Sequence, residues 1–279
     1  MPAEPTSHTP AGSDVVARGL DDAADQAPAP AAEHPSGGSP VQRRRRWHTP
    51  VALLWASHPR QAGVMAAALA VAALLAGRGL REIGVVAATA LVGQVLLGWH
   101  NDVVDRERDR RHGVPRKPAA TGDVDAETLW FAIILGALLL VPLAFTTGFE
   151  AGAYYLGYVL LGGLSNLALR EGRFSWLLWA ASFALLPSYL TWGGWGGGAV
   201  GDAPHVAITV LAGLLGIGVH IGRSVWGLAE DDEEDWSTYP LRIGRRHGAN
   251  RVLGLAAGWI GLSTTAIAVV AGTVGLRAG

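Results

Sequence analysis

The chain has no cysteine among its 279 residues. That excludes a disulfide framework and any thiol chemistry. Charge is scarce too, with 16% charged residues against 50% hydrophobic ones, and lysine is rare beside arginine. The formal net charge of −1 hides an uneven distribution and says little by itself, and no nucleic-acid partner is expected. No secretory leader is expected either. Residues 1 to about 41 are rich in Ala, Pro, Gly, Ser and Asp, and the basic cluster Arg43 to Arg46 follows this polar stretch instead of preceding an apolar core. Such a segment cannot bury enough apolar surface to fold. Residues 1–46 therefore read as a disordered tail with a basic juxtamembrane end, and 47–279 as one membrane domain.

What is abundant is long apolar sequence. Seven runs are close to bilayer-spanning length, at about 62–77, 82–100, 127–147, 151–169, 174–194, 205–226 and 252–274. The first can extend back through Leu53 and Leu54, broken at His58-Pro59. Frequent glycines inside the runs suit close helix packing, as in Gly157-Tyr158-Val159-Leu160-Leu161-Gly162-Gly163. The fold class expected is all-α, a polytopic bundle of about seven transmembrane helices. Arginine sets its orientation. Arg43 to Arg46 and Arg60 precede the first run, and Arg106, Arg108, Arg110, Arg111, Arg116 and Lys117 follow the second. Arg170 and Arg173 follow the fourth, and Arg242, Arg245, Arg246 and Arg251 the sixth. The opposite connections hold Arg78 and Arg81, with Arg277 at the far end. Positive charge stays inside, which predicts a cytoplasmic N-terminus and cytoplasmic even-numbered loops in the cell membrane.

The second run leads into Asn101-Asp102-Val103-Val104-Asp105-Arg106-Glu107-Arg108-Asp109. Aspartates spaced by three and four share one side of a helix, here at the membrane edge. One reading is a solvated helix end tied by i,i+4 pairs such as Asp102 with Arg106. The other is a stripe of hard oxygens for a divalent cation. Mg²⁺ binds through one or two carboxylates plus phosphate oxygens, so the stripe suggests a metal-bridged diphosphate under the membrane.

Three more elements belong to the same side. The loop from Arg110 to Gly122 carries Arg116 and Lys117, which either serve topology alone or meet a phosphate. Asn166 and Arg170 are a helical turn apart at the end of the fourth run, and Asn166 serves either a ligand or a neighbouring helix. After the sixth run comes Glu230-Asp231-Asp232-Glu233-Glu234-Asp235, either a solvated acidic cluster or a second metal site in which Asp231 and Asp235 share a cation. A prenyl diphosphate fits between such helix ends. Its head would rest on metal and basic groups, and its tail and developing allylic cation would lie among aromatic faces. Tyr154, Tyr155, Tyr158, Trp176, Trp179 and Phe183 are candidates, with Trp192 and Trp195 suited to an outer interfacial belt.

With these residues in place the chain resembles the UbiA superfamily of intramembrane prenyltransferases, from about Leu54 to Gly248, and looks most like its actinobacterial members. Asn101, Asp102, Asp105 and Asp109 fit the family's first aspartate motif at every defining position. Lys117-Pro118 to Gly122, Asn166 with Arg170, and Pro240-Leu241-Arg242-Ile243-Gly244 are similar to further family segments. The resemblance implies Mg²⁺ as cofactor and transfer of an isoprenoid chain from its diphosphate. It departs in two places. The first aspartate of the second motif falls on Gly227, and an asparagine four residues earlier falls on Arg223. The family commonly has nine spans where seven are read here, which predicts an open lipid-facing wall that a homo-oligomer would cover.

The expected function is an integral-membrane Mg²⁺-dependent prenyltransferase acting on an aromatic or other lipophilic acceptor. Asp102, Asp105, Asp109 and Asp231 are the expected catalytic carboxylates. Asn101 and Asp235 join them as metal ligands, and Arg116, Lys117, Asn166 and Arg170 are assigned to the diphosphate. A terpene cyclase on the same site and a non-catalytic prenyl-diphosphate binder are the competing readings. Membrane lipids are the remaining expected partner.

Overall fold

His58 and Pro59 decide where the first long helix begins. Proline lacks an N–H and fits the first turn of a helix, so α1, Thr49–Ala56, ends before it and α2, Pro59–Leu75, starts on it. His58 between them takes a left-handed backbone, φ 52°. The computed structural model describes residues 48–194 and 201–276. Among these the helices continue as α3 (Leu80–Arg111), α4 (Pro118–Thr121), α5 (Ala126–Phe145), α6 (Phe149–Ser165), α7 (Leu177–Thr191), α8 (Val206–Ser224), α9 (Leu228–Glu233), α10 (Tyr239–His247) and α11 (Ala249–Val274). The expected tail at 1–46 and Trp195 lie outside the described residues.

The seven long helices α2, α3, α5, α6, α7, α8 and α11 fall on the seven apolar runs. By length and composition, the helices beginning at Leu80, Ala126, Val206 and Ala249 can each cross a membrane, and α2 and α7 are shorter apolar helices. Neighbours in sequence pack side by side, and α3 also touches α6, so α3 is central. The core lies between these helices, around Tyr155, Tyr158, Phe183 and Tyr189. Outward faces stay apolar and exposed, as at Phe131, Leu138, Leu160 and Leu262, which is the surface that lipid covers.

Two glycines let backbones approach closely. A Cβ on Gly98 would stand 2.4 Å from the Ser57 carbonyl oxygen, and one on Gly216 would stand 2.5 Å from the Trp179 carbonyl oxygen. Only glycine lets α3 reach the α1–α2 turn and α8 reach α7 so closely. In the expected packing segment, Gly157 sits against Leu185 and Gly162 against Leu97, whereas Gly163 faces open space.

Alternation of the spans sorts the connections to two ends. At one end, the Gly194 N–H donates to the Thr147 carbonyl at 2.8 Å, and Arg78 donates to the Leu190 carbonyl. At the other gather the end of α3, the α4 loop, the α6–α7 turn and the stretch after α8. Two helix ends differ from the sequence reading. α6 stops at Ser165, so Asn166 caps it, and Leu169 is left-handed at φ 63°. The sixth run breaks after Ser224 into a 3₁₀ turn, Val225–Gly227, before α9.

Candidate active site at one end of the helix bundle

α3 carries its helix straight through the aspartate stripe to Arg111. Asp102 and Asp109 are seven residues apart, nearly two turns, so they lie almost one above the other; Asp105 is rotated about 60° from Asp102. The stripe therefore faces two ways. Asp102 and Asp109 are buried and point to Lys117, whose Nζ lies 3.5 Å from Asp102 Oδ1, 3.2 Å from Asp109 Oδ2 and 3.3 Å from Asn101 Oδ1. Asp105 instead accepts from Asn101 Nδ2 at 2.7 Å and from Arg170. The pair of Asp102 with Arg106, the solvated-helix alternative, does not form: Arg106 donates to the Val103 carbonyl at 3.1 Å.

The loop is built to present Lys117. Lys117 caps α4, Pro118 opens it, and Gly122 closes it in a left-handed turn at φ 76°. Pro118, Ala119 and Ala120 are buried, with Ala119 packed beside Ala52, Ala56 and Val103. The Ala119 N–H donates to Asp102 Oδ2 at 3.0 Å, which fixes the carboxylate. Arg116 is exposed in a left-handed backbone, φ 61°, and lines neither cavity described below.

Arg170 is not a helical turn beyond Asn166, because α6 has already ended. The chain curls back, and Arg170 Nη1 still donates to the Asn166 carbonyl at 3.1 Å while holding Asp105. The Asn166 side chain meets His100 Nδ1 at 3.2 Å, a link from the α6 end to α3.

The second acidic segment does not mirror the first. Arg108 donates to Asp231 Oδ1 at 2.6 Å and to Glu234 Oε2 at 2.9 Å. Arg111 and His112 also approach Glu234, at 3.3 and 2.9 Å, and His112 approaches Glu233 at 3.1 Å. Partial burial acts to raise the Glu234 pKa, but the hydrogen bonds from His112 and Arg108 outweigh it and hold this carboxyl below the ordinary range. Asp231 and Asp235 do not come together. α9 ends at Glu233, Asp235 is left-handed at φ 55°, and its side chain is 98% exposed, 3.9 Å from Arg245.

Two adjoining cavities open among these groups. The smaller, about 170 Å³, is lined by Asn101, Asp105, Arg108, Arg170, Arg223, Asp231 and Trp236, among others. The larger, about 490 Å³, runs into the bundle past Met65, Gln94, Leu97, Tyr158, Trp179 and Phe183. Asn101, Ser165, Asn166, Trp179 and Arg223 line both. Of the six aromatic candidates, Tyr158, Trp179 and Phe183 face the larger space. Tyr155 packs behind it, 5.6 Å from Tyr158 and 4.7 Å from Tyr189. Trp192 is half-buried against the core.

Sequence reasoning passed over Arg108, Arg223 and Trp236 as site residues. Trp236 lies under two guanidinium groups, 4.2 Å from Arg108 and 5.3 Å from Arg170. Arg223 had a usable signal, since an arginine inside an apolar run marks function by default.

The α3 stripe suits a hard cation. Asp102 Oδ1 and Asp109 Oδ2 are buried without a hydrogen bond, and with Asn101 Oδ1 they surround the ammonium of Lys117. Among the described residues no three acidic or histidine side chains converge on their own to make a metal cluster. The second segment does not fit a metal. Gly227 has no side chain, Asp231 is held by Arg108 and Asp235 points away.

Residues 57–278 match the UbiA prenyltransferase family, and the chain belongs to it. No curated protein matches. Three solved structures share the fold. A UbiA homologue from Archaeoglobus fulgidus bound to GPP and Mg²⁺ superposes with TM-score 0.60 at 15% identity, over 80% of this chain and 83% of that one. The same homologue bound to DMAPP and Mg²⁺ gives 0.59 at 17% identity, over 78% and 77%. A structure of digeranylgeranylglyceryl phosphate synthase in membranes gives 0.53 at 15% identity, over 77% and 75%.

Proposed function

We propose that this chain is an integral-membrane, Mg²⁺-dependent prenyltransferase that moves an isoprenoid chain from a prenyl diphosphate to a lipophilic acceptor. Its site and N-terminus lie on the cytoplasmic side of the cell membrane. The observation that carries the reading is the pair of adjoining cavities, one polar and lined by Asp105, Arg108 and Arg170, the other apolar and aromatic. That is the shape of a charged head joined to a hydrocarbon tail, and the larger volume falls within the ~300–1,000 Å³ usual for small-molecule sites. GPP and DMAPP bound with Mg²⁺ in the archaeal homologue support it.

Asn101, Asp102, Asp105 and Asp109 would hold the metal. When bound, a divalent ion would polarise the phosphoryl oxygens and offset the charge of the leaving diphosphate. Lys117 and Arg170 add charge-assisted hydrogen bonds to the same oxygens, and Asn166 holds the α6 end against His100. The allylic C–O bond breaks with its electron pair leaving on the diphosphate. The faces of Tyr158, Trp179 and Phe183 steady the cationic carbon and keep water from it. An electron pair of the acceptor then forms the new bond to that carbon, and the acceptor loses a proton.

Mass spectrometry of membranes incubated with Mg²⁺ and labelled prenyl diphosphates of several lengths tests the reading. A prenylated acceptor is expected. Released hydrocarbon would make the chain a cyclase, and bound but unconsumed diphosphate would make it a binder.

A further inference from the structure

The second acidic segment, where a second metal would be sought, is already occupied by arginine. Arg108 comes from within the first motif, two residues after Arg106 and one before Asp109, and its guanidinium binds both Asp231 and Glu234. Their side chains are 15% exposed for Arg108 and 8% for Asp231, so this is a desolvated pair with little room for exchange. Position 227, which would complete an acidic pair with Asp231, is glycine.

Arg223 stands four residues before that glycine, at the end of α8, and lines both cavities where they adjoin. Among the described residues it forms no ion pair. Its Nη1 donates to Gln61 Oε1 on α2, and its guanidinium lies 5.5 Å from the Trp179 ring. Asp105 lines the smaller cavity with it but does not reach it as an ion pair, so the guanidinium touches no carboxylate among the described residues and can take an anion. The neutral amide of Gln61 orients the group and leaves its charge unspent. Where the cavities adjoin is where the diphosphate of a substrate would join its hydrocarbon.

We infer that Arg223 takes the place of a second metal ion, so that the diphosphate rests on one divalent cation at the α3 stripe and on the Arg223 guanidinium, with Arg108 holding the second acidic segment. This deepens the prenyltransferase reading and rests on it. As the C–O bond breaks, the electron pair arriving on the diphosphate would be met on one side by the cation that the stripe would hold, and on the other by Arg223, which lines both cavities. A guanidinium makes two parallel hydrogen bonds to phosphate oxygens and stays charged at every working pH.

The test uses the full chain in lipid nanodiscs with Mn²⁺ and inorganic pyrophosphate. Electron paramagnetic resonance counts the bound Mn²⁺, and calorimetry gives the pyrophosphate affinity. One Mn²⁺ per chain is expected at saturating pyrophosphate. Arg223→Gln should weaken pyrophosphate at least tenfold while leaving Mn²⁺ binding in its absence unchanged, which also reports an intact fold. Arg223→Lys keeps the charge but loses the paired hydrogen bonds, so its affinity should fall between those of the parent and Arg223→Gln. Two Mn²⁺ per chain would overturn the inference and leave the prenyltransferase reading standing. So would Arg223→Gln within twofold of the parent, or Arg223→Lys falling as far as Arg223→Gln. No binding of Mn²⁺ or pyrophosphate by the parent would overturn both.

Discussion

Arg108 Nη2 lies 2.6 Å from Asp231 Oδ1, so the end of α3 and the start of α9, 123 residues apart in sequence, are locked by one ion pair. Glu234 adds a second bond to the same guanidinium at 2.9 Å. Replacing Arg108 with Ala takes the counter-charge from buried Asp231, while Glu234 keeps Arg111 and His112. Breaking a desolvated pair from one side costs about 3 kcal/mol. Thermal unfolding in detergent should show the loss. Asp231→Asn together with Arg108→Gln, an uncharged pair of similar shape, should recover part of it. No shift in Arg108→Ala would mean that the clasp is solvated and idle.

Asp105 is the stripe carboxylate that faces the smaller cavity, held between Asn101 and Arg170. Asp105→Asn keeps its size and removes its charge. Mg²⁺-dependent binding of a prenyl diphosphate should weaken by about tenfold or more, the usual scale for one charge-assisted contact. Equilibrium binding with labelled ligand measures it. Unchanged binding in a folded variant would move the head-group site off the α3 stripe.

Much of this architecture was legible in the sequence, because lipid forces each span to be long, apolar and helical, and because arginine sorts the loops. The first stripe was legible because α3 runs unbroken, so helical spacing held from Asp102 to Asp109. The second failed for the same physical reason in reverse. Its i,i+4 pairing of Asp231 with Asp235 assumed a helix that ends at Glu233. Arg170 shows the limit from another side: its helix stops at Ser165, and a left-handed Leu169 brings the side chain back by a turn that no periodicity encodes. Arg108 read as topology because its partners lie 123 and 126 residues away.

The cysteine-free chain makes the proposed orientation simple to measure. Single cysteines placed at Arg111 and at Gly77 lie at opposite ends of the bundle, on exposed positions. A membrane-impermeant maleimide applied to intact cells should label the Gly77 position and spare the Arg111 position until the cells are opened. Labelling of both from outside would reverse or abolish the expected orientation.

Gly98 tests the scaffold behind the stripe. Its Cβ position is 2.4 Å from backbone, which cannot swing aside as a side chain would. Gly98→Ala should cost about 1–3 kcal/mol through forced separation of α3 from the α1–α2 turn. Gly163→Ala, on open space of α6, is the matched control and should be near neutral. Equal thermal midpoints for the two variants would show that the close approach does not bear on stability.

Asp231 and Asp235 separate the two accounts of the second acidic segment. If they shared a cation, neutralising either would remove half of one site, and the two variants would lose turnover alike. The geometry argues otherwise. Asp231 is buried and holds Arg108, whereas Asp235 is 98% exposed beside Arg245. Asp235→Asn should leave turnover within about twofold of the parent, as surface substitutions generally do. Asp231→Asn removes one of the two acids on Arg108, loosens α9 against α3 and should lower turnover about tenfold, the scale of one charge-assisted contact. Its Mn²⁺ count should stay at one, because the ion belongs to the α3 stripe. A fall from two bound ions to one in Asp231→Asn, matched by Asp235→Asn, would restore the paired metal site and displace Arg223 from the role assigned to it.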